Sequence, residues 1–173
     1  LVGSACKRHA LIERAAGDVK AELYQIETME AAYRNAVALA EQSDPGSWDR
    51  PAINQLAAQV RRRHLDPLQN LPDPHLVARL RTVLAKHSQQ DPDFWSESGL
   101  IEIDLYQSLM GQEGAPSLSY IANRYADLQR RAPARAEWRT VSDQLEFVLG
   151  TGPKAPAASE AQQLLTTIRT YAE

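Results

Sequence analysis

Residues 11–42, LIERAAGDVKAELYQIETMEAAYRNAVALAEQ, decide the fold class. Ile12, Ala16, Val19, Leu23, Ile26, Glu30, Tyr33, Val37 and Ala40 follow one another at alternating spacings of four and three. In a helix of 3.6 residues per turn that spacing keeps them on one narrow seam, interrupted only by Glu30 beside Met29. The pattern predicts a single long helix over about 11–42, stopped by Ser43-Asp44-Pro45-Gly46. Such a seam can pack on later helices or on a second copy of the chain.

Working outward, proline divides the remainder into helix-length segments. Pro51 suits the first turn of a helix bearing Ile53, Leu56, Ala57 and Val60. Asp73 is a natural N-cap, with Pro74 at the first helical position, for Leu76, Val77, Leu80, Val83 and Leu84. Asp91-Pro92 opens a helix to about Met110 whose apolar arc is wide enough for a central position. Gly111 to Ser117 is a turn, and Leu118, Ile121, Ala122, Tyr125 and Leu128 share the next helical face, ended by Ala132-Pro133. Trp138 to Leu149 form another helix with Gly150 as its C′ glycine. Gly152 to Pro156 is a loop, and Ser159 with Gln162 is a capping box before a last helix. With no β-alternation and no hairpin dipeptide, the chain is expected to be all-α. About seven helices should form antiparallel hairpins, as an α-solenoid or a compact bundle.

The chain has 173 residues, 43% of them hydrophobic, one cysteine and a net charge of −3. That length supports a core, and a single all-helical domain over residues 1–173 is expected, with 1–10 a frayed terminus. One cysteine excludes a disulfide scaffold and a cysteine-based zinc site, and Cys6 reads as a free thiol in that terminus. No apolar run reaches the ~20 residues of a membrane span, so no membrane insertion is expected. A cytoplasmic location follows, or the extracytoplasmic part of a membrane-attached protein. The mild net charge gives no reason to expect nucleic acid as a partner.

The charge is ordered along the chain. Residues 50–90 hold seven basic and two acidic groups, residues 91–123 hold six acidic groups and no basic one, and residues 124–139 hold five basic and two acidic. Helices adjacent in a hairpin array should therefore face opposite signs. Arg61-Arg62-Arg63-His64 is the densest cluster, and there are 15 Arg against 4 Lys. Guanidinium forks match carboxylates and phosphates, although codon choice in a GC-rich bacterial genome gives the same skew. Three consecutive helical residues span about 200°, so one of Arg61 to Arg63 is expected to turn inward onto an acid.

Motifs for chemistry are missing. No His has a Glu three positions before it, as a helical carboxylate–histidine metal site requires. There is no glycine-rich phosphate loop and no Gly-x-Ser-x-Gly elbow. Glu97, Glu102 and Asp104 share one helix and read as a solvated acidic face rather than an acid–base pair. No cofactor, metal or enzymatic activity is expected.

Trp95 followed by Gly99, then Tyr125, Leu128 and Pro133, then Trp138 with Val141 and Ser142, resembles the tetratricopeptide-repeat family over about residues 92–173. Tyr33 and Ala36 match the same second-helix pair. The chain departs from that pattern in the 30 residues between Trp95 and Tyr125, longer than one motif, and in Ile121 at a small-residue position. The resemblance implies stacked helical hairpins whose concave face holds a peptide or partner helix, the work of an adaptor or scaffold. Polar positions beside the motif aromatics, namely Glu102, Tyr106, Asn123, Arg124, Asp127 and Arg131, are then the candidate partner-binding residues. The competing expectation is a ligand-binding or signal-relaying sensor domain that dimerises through residues 12–40.

Overall fold

A computed structural model describes residues 2–43, 47–131, 134–150 and 159–173. The described residues form eight helices and no strand: α1 (Val2–Ala16), α2 (Val19–Ser43), α3 (Asp49–Leu65), α4 (Pro74–Gln90), α5 (Phe94–Leu109), α6 (Leu118–Gln129), α7 (Arg135–Leu149) and α8 (Glu160–Ala172). The all-α class is as expected. The turn at residues 44–46, the stop at Ala132-Pro133 and the loop from Gly152 to Pro156 lie outside the described residues. Where the sequence suggested one domain, the chain gathers into two compact units, Leu1–Leu80 and Arg81–Glu173, with the division falling inside α4.

The eighth helix comes from a break in the stretch that looked continuous. Gly17 takes φ +77°, the left-handed conformation in which a glycine pays no Cβ penalty. Its N–H donates to the Arg14 carbonyl at 3.0 Å, and the Asp18 N–H donates to the Glu13 carbonyl at 3.0 Å. That pair is a Schellman C-cap. Asp18 then caps α2, its Oδ1 accepting the Ala21 N–H at 2.9 Å. Two residues thus end one helix and start the next, and α1 returns antiparallel along α2.

α1 is also not a frayed end. Gly3, Cys6 and Ala10 are buried. Gly3 abuts the Tyr33 ring so closely that an added Cβ would lie 2.5 Å from Cε2. Ser4 Oγ and Tyr33 Oη sit 3.2 Å apart. Of the expected seam, Ile26, Glu30 and Val37 are spent inside unit 1, while Ile12, Ala16 and Val19 face solvent. The expected seam is therefore divided between positions packed within unit 1 and positions left exposed.

α3 packs on α2, and its Ala52, Leu56, Ala57 and Val60 are all buried. In the same unit Arg79 lies over the buried Trp48 ring, 4.8 Å from its centroid, and pairs with Glu41. Asp73 caps α4 as expected, accepting the His75 N–H at 2.9 Å.

In unit 2, α5 pairs with α6, α7 with α8, and α6 also meets α8. The α5 start falls two residues later than Asp91: Asp93 is the N-cap, accepting the Ser96 N–H at 2.6 Å. Ser117 and Ser159 cap α6 and α8 in the same way, each at 3.2 Å. Gly150 ends α7 at φ −50°, so it is not the left-handed C′ glycine expected there. Trp138 is the hub of the core, its ring edge-to-face with Phe94, Tyr125 and Tyr171 at 5.3, 6.1 and 4.9 Å.

Candidate functional site

The cleft in unit 2 is made where three helix ends meet. The N-terminal residues of α5 and α7 and the C-terminal turn of α6 enclose about 240 Å³. Pro92, Asp93, Phe94 and Glu97 come from the start of α5, Leu128 and Arg131 from the end of α6, and Glu137 from α7. Phe94 is half-buried because one edge of its ring packs on Trp95 and Trp138. Leu128 is buried and lines the cleft with it, so the floor is apolar.

The cleft rim is charged, and each charge has local work. Arg131 forms a forked pair with Glu97, its Nη2 2.7 Å from Oε2 and its Nη1 on Oε1. Hydrogen bonding to Glu97 and the attraction of that carboxylate raise the Arg131 pKa. Glu137 reaches back to accept the Ala134 N–H at 2.9 Å, and Asp93 caps α5. Chemically the arrangement offers an apolar seat with a polar edge, the ordinary make-up of a small recognition pocket.

Of the six candidate residues, Arg131 alone lines this cleft. Asn123, Asp127 and Arg131 are exposed and recur every fourth residue along α6 and just past its end, a polar row leading to the cleft. Arg124 is half-buried and held by Asp104. Glu102 and Tyr106 do not belong to any open surface: they are buried at 6% and 4% exposure. Tyr106 Oη donates to Glu102 Oε2 at 3.0 Å and accepts from Gln144 Nε2 at 3.0 Å. Polar residues were assigned to the surface by type, yet here they satisfy one another inside the unit. Burial, then the Glu102 charge, drives the Tyr106 pKa well up, and the same two causes do so for Tyr125. Both phenols stay protonated, and Tyr106 serves as a structural donor to Glu102.

The acidic face of α5 is likewise not solvated. Asp104 is buried and takes Arg81 Nη2 on Oδ1 at 2.6 Å and Arg124 on Oδ2. Cations from the basic segments on either side thus meet the acids of 91–123, which is the complementarity the charge order predicted.

Unit 1 holds a second polar network. Glu22, 2% exposed, receives Arg14 Nε at 2.9 Å and Arg61 Nε and Nη2 at 2.9 and 2.8 Å, all on Oε1. The inward-turning arginine expected from Arg61 to Arg63 is therefore present. Burial and the Arg14 cation lower the Arg61 pKa, against the raising effect of Glu22. Glu30 accepts Arg34 Nη2 at 2.8 Å and Gln59 Nε2 at 3.1 Å on Oε1, with Arg62 Nη1 2.8 Å from Oε2. The residue that broke the apolar seam is thus the anchor of a charge cluster. Arg63 turns the other way, onto the carbonyls of Pro67 and Gln69.

Among the described residues no group of three or more His, Cys, Asp or Glu is placed to hold a metal ion, and no helix is long and apolar enough to cross a membrane. No protein-family model, no curated protein and no solved structure matches this chain.

In the sequence Phe94 is only one apolar residue in the wide arc of the helix that opens at Asp91-Pro92, which does not mark the cleft. The useful signal was Asp93-Phe94, a ring in the first helical position next to an N-cap, where a helix end leaves one face uncovered.

Proposed function

We propose that this chain is a protein–protein interaction module in which unit 2 holds an extended peptide or partner helix along α6 and into the cleft at its end. The carrying observation is the junction of the exposed row Asn123, Asp127 and Arg131 with an apolar floor of Phe94 and Leu128. A partner's apolar side chain would fill the floor while its polar groups meet the row, as in other helical recognition surfaces. Pairing of α5 with α6 and α7 with α8, and burial of Gly99, Tyr125 and Trp138, support a kinship with tetratricopeptide-like hairpins. The function is that of an adaptor or scaffold.

The test is a peptide library displayed on phage and selected against the full chain. Selected peptides should share an apolar anchor flanked by polar positions. Arg131→Glu and Asp127→Lys, both at exposed sites, should each weaken a selected peptide about tenfold, the equivalent of ~1.4 kcal/mol. Peptides that bind both variants as well as the parent would remove the cleft from this role, as would a library that yields no binder.

A further inference from the structure

α1 has a second face that its own unit does not use. Its buried positions are Gly3, Cys6 and Ala10. Val2, Ala5, His9, Ile12 and Ala16 are all exposed and recur at spacings of three and four, with Ile12 showing 62% of its surface. That is the a/d repeat of a coiled-coil seam, on a helix whose other side is already anchored to Tyr33 and α2.

The charges beside the stripe choose the occupant and its direction. With Val2, His9 and Ala16 at a, and Ala5 and Ile12 at d, Arg8 falls at g and Glu13 at e. Neither makes an ion pair among the described residues, and neither is fully buried. They are five positions apart, the offset at which a g residue meets the e′ residue of a parallel partner in the same register. Two symmetry-related Arg8–Glu13′ pairs then flank the seam. An antiparallel partner brings g beside g′ and e beside e′, so it offers no Arg8–Glu13′ pair. His9 is the one polar residue in the seam, the kind of a-position residue that fixes register at some cost in affinity.

We infer that the occupant is a second copy of this chain, joined in parallel through α1. This surface is separate from the cleft and does not depend on it. Fifteen residues give a helix of about 22 Å. Such a seam falls short of the ~1,200 Å² typical of stable complexes, so the association is weak and concentration-dependent.

Sedimentation equilibrium of the full chain, from about 1 µM to about 1 mM, covers the affinity range of so small an interface. The expected result is a monomer–dimer equilibrium that Ile12→Asp weakens by at least about tenfold. Circular dichroism checks that the variant keeps its helices. Arg8→Glu alone should weaken the dimer, and Arg8→Glu with Glu13→Arg should restore it, which holds even if Ile12→Asp misfolds. Ile12→Cys should crosslink to its own counterpart under mild oxidation, because d faces d′ only in a parallel pair. A monomer throughout, a dimer indifferent to Ile12→Asp, or failure of the charge exchange to restore association would each overturn the inference.

Discussion

The two units solve the same problem, burying polar side chains among helices, by different means. Unit 1 buries carboxylates against an excess of cations: Arg14 and the buried Arg61 share Glu22, and the exposed Arg34 and half-buried Arg62 share Glu30. Unit 2 fills its centre with Trp138, Tyr125 and Phe147 and a neutral phenol bonded to Glu102 and Gln144, and sets most of its ion pairs nearer the surface. The outsides differ too. Among the described residues Val2, Ile12, Val19, Tyr24, Leu39, Leu68 and Leu71 are the exposed large apolar side chains of unit 1, against Tyr120 alone in unit 2. A bundle of slender, alanine-rich helices has little aromatic bulk with which to enclose its surface. Its specificity rests on charge geometry, whereas unit 2 relies on ring packing.

The largest effect that sharpens this contrast is expected at Glu22. Glu22→Ala removes the carboxylate that Arg61 donates to twice and that Arg14 also meets, and removing one partner of a buried ion cluster costs about 3–5 kcal/mol. Urea unfolding followed by hydrogen exchange should show the loss confined to α1–α3 amides. Replacing the triad together, Arg14→Met with Glu22→Leu and Arg61→Met, should be near neutral, because the desolvation penalty disappears with the charges. If the triple variant is as damaged as Glu22→Ala, the cluster holds the helices by more than mutual compensation.

A smaller effect separates two tyrosines of unit 2. Tyr106→Phe takes one buried hydrogen bond each from Glu102 and Gln144, at a cost of about 1–3 kcal/mol. Tyr125 is fully buried, and its Oη has no hydrogen-bond partner among the described residues. Tyr125→Phe therefore removes an unsatisfied group and should be neutral or stabilising by up to about 1 kcal/mol. Thermal melts of the two variants side by side decide it: equal losses would mean that Tyr125 Oη is bonded after all.

The same contrast explains what could be read before the structure was known. Prolines, caps and the alternation of charge are local or statistical, so Asp73 and Ser159 as caps, an inward arginine near position 61 and the pairing of 91–123 with its basic neighbours were all legible. The reversal at Gly17-Asp18 was hidden because hydrophobic phase says nothing of chain direction. Ile12, Ala16, Val19 and Leu23 keep their spacing across the turn, although the glycine and the N-cap aspartate were both in view. Glu102 and Tyr106 were misplaced because residue type predicts burial poorly once polar groups satisfy each other. For the candidate site, Arg131 and its row on α6 followed from helical spacing. The cleft itself depends on three helix ends meeting, a tertiary fact with no periodic signature.

The smallest expected effect concerns the pH response that the excess of cations in unit 1 implies. Partial desolvation, then the charges of Arg61 and Arg14, hold the His64 pKa below its ordinary value of about 6.5. The folded chain therefore binds a proton at His64 less readily than the unfolded chain does. Stability from this group is fully present above about pH 6.5 and is lost as pH falls through the lower, folded value. Asp66 acts in a separate window: Gln69 and the Leu68 N–H lower its pKa, so its contribution fades only below the usual carboxylate range. His64→Gln should flatten the stability-against-pH curve just below neutrality and leave the acid limb in place. The sharper version adds salt. Cation repulsion is screened within about 10 Å at 0.1 M ionic strength, so raising the salt should shrink the His64-dependent slope. A slope that ignores salt would assign the depressed pKa to burial alone and detach His64 from the arginine cluster that sets unit 1 apart.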